Sequence, residues 1–328
     1  MAGYSAVSAV TQWPNHEAPW REWRSALEGS RMHHGWLLAG KSGLGKHDFA
    51  LAAARELVAE PGIPQPEEHP DIVVLTHLPK DEKEEKKRDE GKPFQTKRNI
   101  SVGQIRDMQR RLTTRPTLGA RRAIIIDPAD DMEKGASNAL LKSLEEPPAG
   151  TFFLLVAHRP SRLLPTIRSR CRILRFPMLT GDQLTTMLVD EGYSPDPVAL
   201  NAAEGSFGSA IRFMEQDLGP VARVMDGLLT AGDPALVGRT ELSRLIGPRA
   251  DRPRIQAVLE LAQSIAAHRA RTADTDAARA GLIDAHAKLV ALTSQAPTHN
   301  FDTGLLSLEI GTLLVEAHAA SERGHGRP

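Results

Sequence analysis

The sequence predicts an α/β domain built on a parallel sheet, followed by a small helical domain and an all-α C-terminal domain. Three observations carry this reading. Short apolar runs alternate with helix-period stretches between residues 35 and 156, the pattern of a parallel sheet covered by helices. A glycine-rich turn joins the first of those runs to the first long helix. After about Met178 the strand signal fades and Ala/Leu-rich helix takes over. The expected divisions are 1–178, 179–218 and 219–328.

Each element has its own justification. Glu22 to Arg31 reads as a short helix, and Gly35-Trp-Leu-Leu-Ala39 as a buried strand entering a turn. His47 to Glu60 places Phe49, Leu51, Ala53, Leu57 and Val58 at spacings that suit a helix packed on a sheet. Ile72 to Leu75 is a second strand, and Ser101 to Arg111 a helix with Val102, Ile105 and Met108 on one stripe. Arg122-Ala-Ile-Ile-Ile-Asp127 is a β-branched strand ending in a carboxylate. Ala136 to Leu144 is a helix that Pro147 and Pro148 stop, and Phe152 to Val156 is another apolar strand. Gly181 to Glu191 and Pro197 to Ala203 are helices, and beyond Gly219 apolar stripes recur at helical spacing. Between them, Lys80 to Arg98 is dominated by charges with almost nothing to bury. It reads as a solvated or disordered insertion, with a DNA-contacting loop as the alternative.

Composition narrows the function classes. Lys+Arg and Asp+Glu both number 41, so binding nucleic acid through overall charge is excluded, although a local patch is not. Arg110, Arg111, Arg115, Arg121 and Arg122 form one such cluster, read either as DNA phosphate contacts or as a solvated or subunit-facing surface. No apolar run approaches the roughly 18–20 residues of a membrane span, and the first residues lack a signal peptide's apolar stretch, so a cytoplasmic location is expected. The single cysteine, Cys171, excludes an internal disulfide and a multi-cysteine zinc site. It reads as a buried small side chain. His33 and His34 are adjacent, so their side chains diverge, and they read as structural; no metal site is expected.

Gly40-Lys41-Ser42-Gly43-Leu44-Gly45-Lys46-His47 matches a phosphate loop (P-loop) at every position but the last. Gly40, Gly43, Gly45 and Lys46 are the phosphate-contacting set: the glycines let backbone N–H groups wrap an anion, and Lys46 reaches the terminal phosphates. The last position requires a Ser or Thr hydroxyl to hold Mg²⁺, and His47 is a poor ligand for that hard cation. Asp127 is the second expected metal carboxylate. The residue after it, where ATPases of this broad class carry a Glu to activate water, is Pro128. Two separate parts are missing from one site, so the chain by itself is not expected to hydrolyse ATP.

Four segments together resemble the clamp-loader branch of the AAA+ proteins, as found in bacterial DNA polymerase III. They are His34 to Lys46, Ile124 to Asp130, Ser137-Asn-Ala-Leu-Leu-Lys-Ser-Leu-Glu-Glu-Pro147, and Leu163-Leu-Pro-Thr-Ile-Arg-Ser-Arg-Cys171. The resemblance is sharp over Met32 to Pro177 and rests on architecture and length beyond it. It implies an AAA+ domain with a degenerate nucleotide site at 1–178, a helical lid at 179–218 and an oligomerisation collar at 219–328. It also implies a non-hydrolysing subunit that helps load the sliding clamp onto primed DNA during replication. Its partners would be the gamma/tau and delta subunits, and through the complex the clamp and primed DNA. The alternative is an active ATPase of the gamma/tau type. Those subunits carry Thr or Ser, Glu and a zinc-binding cysteine cluster where this chain has His47, Pro128 and no cysteine but Cys171. Departures continue at Ala157-His158, where the family has a Thr pair, and at Gly208, where it has its second sensor arginine. Arg212 lies one helical turn out of register with that arginine. By the same resemblance, Arg170 is the arginine finger, acting in trans on ATP held by the neighbouring subunit, and no cofactor of the chain's own is implied. The competing reading of Arg170 is a local cap or ion pair.

Overall fold

A computed structural model describes residues 13–29, 32–195, 197–295 and 302–325. The chain divides into two compact units, Met1–Leu179 and Thr180–Pro328. The packing thus groups the residues of the expected lid with those of the expected collar.

In the first unit, strands β1 (Gly35–Ala39), β2 (Ile72–Leu75), β3 (Arg122–Ile126), β4 (Thr151–Ala157) and β5 (Arg172–Arg175) form one sheet in the order β2-β3-β4-β1-β5. All its pairings are parallel, as the alternating pattern required. Side chains on successive residues take opposite faces, so each apolar strand feeds two cores. Trp36, Leu38, Ile125, Leu154 and Val156 meet Trp23 and Phe49, from α1 (Glu17–Glu28) and α2 (Lys46–Val58). Leu37, Ile124, Ile126, Phe153 and Leu155 meet Ile105, Met108, Leu140 and Leu144 on the other face. Those four belong to α4 (Val102–Arg111) and α5 (Lys134–Glu145). Burial on both faces is why these strands are continuous apolar runs.

Three features depart from the sequence reading. Helix α1 starts at Glu17 rather than Glu22, because Pro19 falls in its first turn, where its missing N–H has no helical partner to lose. Strand β5 was not legible, since Arg172-Ile-Leu-Arg175 buries only Leu174 at the sheet edge. The 80–98 insertion is solvated but ordered. It holds helix α3 (Glu82–Asp89), whose N-terminus the Asp81 carboxylate caps by accepting from Glu84 N at 3.0 Å. Its neck is closed by Lys80 N to Gln95 O (2.9 Å) and Lys97 N to Leu78 O (2.7 Å). Caps and charge pairs three residues apart, such as Lys87–Glu84 at 2.7 Å, support a helix that has no apolar face.

One member of the basic cluster is not on the surface. Arg122 is 5% exposed and donates to the carbonyls of Arg111 (2.8 Å), Thr114 (3.2 Å) and Arg115 (2.8 Å). Its charge lies 3.7 Å from the fully buried Asp71, which in turn accepts from Thr117 N and Leu118 N. This network fixes the loop between α4 and β3 and removes Arg122 from any DNA-contacting set. Arg110, by contrast, pairs with Asp107 at an exposed position on α4.

The second unit is helical: α7 (Gly181–Asp190), α8 (Pro197–Ala203), α9 (Phe207–Glu215), α10 (Gly219–Ala231), α11 (Val237–Ile246), α12 (Arg252–Arg271), α13 (Asp276–Gln295) and α14 (Thr303–His325). Helix α6 (Pro165–Arg168) precedes β5 in the first unit. Helices α10 to α14 pack on one another, and α8 and α9 lie against α12. Arg254 donates to Gln216 O beyond the end of α9 and to Leu245 O and Ile246 O at the end of α11, satisfying carbonyls that lack helical partners. Arg212 donates to Ser209 Oγ (3.2 Å) and Glu260 Oε2 (3.0 Å), so it serves this packing. Among the described residues no helix is long and apolar enough to cross a membrane.

The contrast between the two arginines is testable. Arg122→Met strands a buried carboxylate and should lower stability by about 3–5 kcal/mol. Arg110→Ala should change it by no more than about 0.5 kcal/mol. Chemical denaturation midpoints of the two variants measure both.

Candidate functional site

Open parallel sheets bind ligands beyond the carboxyl ends of their strands. Here β1, β4 and β3 are neighbours, and their ends deliver the phosphate loop, His158 and Asp127 to one place. Gly40 N donates to Ala157 O (3.2 Å), which locks the start of the loop to β4. A Cβ on Gly40 would lie 2.8 Å from Phe176 O, so only glycine passes there. Gly43 (φ 77°) and Gly45 (φ 70°) take the left-handed conformation that turns backbone N–H groups inward at the start of α2. The expected phosphate-contacting set is therefore assembled as a loop.

Its charged residues are committed to one another. Lys46, 2% exposed, donates from Nζ to Lys41 O at 2.6 Å, inside its own loop. Burial pushes its amine down to about 8, against the pull of Asp127 and Asp130. His47 Nδ1 lies 2.7 Å from Asp127 Oδ2, and His158 Nε2 lies 4.0 Å from Asp127 Oδ1. Burial works against the charge on both members of the His47–Asp127 pair, and their mutual hydrogen bond overcomes it. The imidazole is held above its ordinary range and the carboxyl below its own. The two shifts favour a protonated imidazole facing an ionised carboxylate. Burial, with Lys46 nearby, pushes His158 down to about 4, which leaves it neutral.

Magnesium does not fit this arrangement. It demands near-octahedral oxygen ligands at about 2.0–2.1 Å. An imidazole stands where the hydroxyl is required, and its N–H already holds the carboxylate oxygen. No substitute base is at hand among the neighbouring carboxylates. Asp130 accepts from His158 N (2.8 Å) and Arg159 N (3.1 Å), and Asp131 pairs with His77 (3.4 Å) and Arg159 (3.6 Å). Pro128 follows Asp127 as the sequence required, with no proton to exchange.

Sequence reasoning missed the segment that covers the loop. Residues Pro14–His16 form a 3₁₀ turn whose His16 Nε2–H donates to Leu44 O at 2.7 Å. Trp13 stacks on the His16 ring, with centroids 5.3 Å apart and planes 11° apart. A Cβ on Gly45 would lie 2.2 Å from the Trp13 indole, which puts that ring directly against the loop. Phe49 and Phe176 meet His16 edge-on. Burial pushes the His16 imidazole down to about 4, and half-buried Asp48, beside this cluster, is pushed up by desolvation to about 6. The concentration of tryptophan near the start was the available signal, but composition does not say what an indole will cover.

The remaining candidates are elsewhere. Arg170 lies just past α6, 35% exposed, with Nη1 donating to Thr166 O (2.9 Å) and Nη2 paired with Glu145 Oε1 (2.7 Å). Cys171 packs against the α5-side core, and burial pushes its thiol up to about 12, so it carries no thiolate at neutral pH. His34 Nε2–H donates to Leu144 O (2.8 Å) and His33 Nδ1 meets Gly35 O (2.8 Å), structural contacts as expected, but the two rings stack with centroids 4.6 Å apart rather than diverging. Among the described residues no group of His, Cys, Asp and Glu is arranged to hold a metal.

A phosphate loop leaving β1 of a parallel sheet, with a carboxylate at the end of β3, defines the class: a P-loop α/β protein, here with an imidazole in the metal position. Comparison with known proteins then sets the family. The chain belongs to the family described as DNA polymerase III, delta subunit, whose profile matches residues 15–180. It is 36% identical over 169 residues to the DNA polymerase III subunit delta' of Pseudomonas aeruginosa, covering 47% of this chain and 46% of that protein. The delta' subunit of Bacillus subtilis is 30% identical over 190 residues, covering 54% and 52%. The tau subunit of Escherichia coli is 30% identical over 212 residues, covering 58% and 30%. The chain thus spans about half the length of the curated delta' relatives it matches. Among solved structures, a DNA polymerase III gamma subunit-related protein of Thermotoga maritima aligns at 16% identity, with a TM-score of 0.46, over 92% of this chain and 100% of that one.

The buried imidazole gives a pH prediction. Between pH 6.5 and about 4 the unfolded chain binds a proton at His16 that the folded chain does not. Stability therefore falls as pH falls through that window. At about 1.4 kcal/mol per pK unit, the wild type should lose on the order of 3 kcal/mol more than His16→Phe between pH 7 and 4. Urea unfolding of both proteins across that range measures the difference in slope.

Proposed function

We propose that this chain is a delta-prime-type clamp-loader subunit that does not hydrolyse ATP itself and supplies Arg170 to ATP bound by a neighbouring ATPase subunit. The work of the complex would be to load a sliding clamp onto primed DNA during replication in the cytoplasm. Gamma/tau and delta subunits would be its partners. The observation that carries the reading is the His47–Asp127 ion pair, which fills the metal position of the chain's own P-loop with protein atoms. That pair speaks against the alternative of an active gamma/tau-type ATPase.

Arg170 is suited to the role by its exposure. Its pairing with Glu145, at 35% and 49% side-chain exposure, is worth about 0–1 kcal/mol and gives way readily to a phosphate. The Thr166 carbonyl contact keeps the guanidinium oriented meanwhile. A guanidinium offers phosphate oxygens a planar, permanently charged fork, which a lysine ammonium does not. Association through the helical unit is supported by its exposed apolar residues. Ile283 and Val290 share one stripe of α13, seven residues apart, and Leu305 and Leu308 are exposed on α14. An oligomerisation collar would cover them.

Two measurements test the reading. The purified chain should show no metal-dependent ATP hydrolysis above background; turnover in the common range of roughly 1–10³ s⁻¹ would contradict it. In a complex reconstituted with gamma/tau and delta, Arg170→Ala should lower clamp- and DNA-stimulated ATPase by roughly three- to tenfold without breaking assembly. Arg170→Lys should be nearly as damaging. Full activity in an assembled Arg170→Ala complex would reduce the chain to a scaffold.

A further inference from the structure

One short segment holds both the P-loop and the chain leaving β5, with two contacts to each. Trp13 lies against Gly45, at the point where the loop becomes α2. His16 pins the loop through Leu44 O (2.7 Å). The same imidazole meets Phe176 edge-on at 5.1 Å, and Asn15 Nδ2 donates to Pro177 O (3.0 Å). Residues 176 and 177 are near the end of the first unit, which closes at Leu179. The loop and this exit strand are also tied directly, since Phe176 N donates to Ala39 O (2.9 Å). The segment therefore touches three things at once: the phosphate loop, the first turns of α2 through Phe49, and the chain leaving β5.

We propose that residues 13–16 are a built-in stopper that takes a nucleotide's place: they cover the phosphate loop against nucleotide and join it to residues 176–177 permanently. The contacts are intramolecular and uncharged at neutral pH, so they persist at any nucleotide concentration. An aromatic pair supplies the cover and two hydrogen bonds supply the position. A nucleotide entering the loop would have to displace the indole from Gly45 and break the His16 hydrogen bond. The proposal concerns this chain alone and goes beyond the reading of Arg170, which concerns a neighbour's ATP; either can fail without the other.

Hydrogen exchange followed by mass spectrometry on the full-length chain tests it, with Mg-ATP, ATP in EDTA and inorganic pyrophosphate as the probes. The reporter amides are Gly40, bonded to Ala157 O, and Phe176, bonded to Ala39 O, with β3 as the internal reference. In the wild type none of the probes should change exchange at residues 40–47 or 174–179. Trp13→Ala should speed exchange in both stretches together, on the order of tenfold, with β3 unchanged. Trp13→Phe, which keeps a ring over Gly45, should behave as wild type. Should Trp13→Ala fail to fold, Asn15→Ala cuts only the Pro177 bond and should speed exchange at 174–179 alone. Protection of residues 40–47 by any probe in the wild type overturns the cover. Faster exchange at 40–47 in Trp13→Ala with none at 174–179 overturns the join, and no change in either variant overturns both.

Discussion

A carboxylate buried at the end of a central strand must be neutralised, and Asp127, at 1% exposure, is such a group. In a P-loop site that counts on magnesium, the metal meets this demand. Here the side chain one residue past the loop lysine meets it, with the His47 imidazole 2.7 Å away. Leaving such a charge unpaired would cost several kcal/mol, so His47 and Asp127 have to be understood as one device. Several neighbouring features follow from it. Lys46, no longer needed at the carboxylate, folds back on Lys41 O. Neutral His158 packs beside the pair without adding a second positive charge. Restoring a hydroxyl at position 47 would therefore remove the hydrogen-bond partner that Asp127 relies on.

Two other buried carboxylates of the first unit are held in the same way: Asp71 with Arg122 and two backbone amides, Asp130 with the amides of His158 and Arg159. Each set sits next to a strand end, so hydrogen bonds to a buried carboxylate fix the adjoining loop there. Asp130 in particular positions the turn after β4 that carries His158 to Asp127. A carboxylate that looks in sequence like a spare catalytic base is, in the fold, a clasp.

Family membership and site chemistry agree without repeating each other. The family profile covers residues 15–180, the part that contains the sheet, the loop and the Ser-Arg-Cys segment. The helical unit beyond Thr180 is outside that match, and the collar role proposed for it rests on its exposed apolar residues. Curated relatives include both delta' and tau subunits, so similarity alone leaves the hydrolysing and non-hydrolysing readings side by side. Under the proposed function the geometry at His47 favours the non-hydrolysing one, because metal coordination is a matter of which atoms reach one point.

The sequence by itself determined the parallel sheet, because strands buried on both faces must be apolar throughout and the helices between them must carry one apolar stripe. It showed His47 and Pro128 standing where the motif calls for a hydroxyl and a base, since residue chemistry at a motif position needs no coordinates. It marked Arg170 through the neighbours of the Ser-Arg-Cys segment. What tertiary structure alone decided is pairing at a distance. Asp127 lies 80 residues from His47, and Asn15 lies 162 residues from Pro177. No local pattern encodes such partners. Helix α3 was decided the same way, its neck closed by bonds across the insertion where composition saw only charge. Strand β5 owes its existence to the open edge of β1, which supplies the hydrogen bonds that four residues with one buried side chain do not demand on their own.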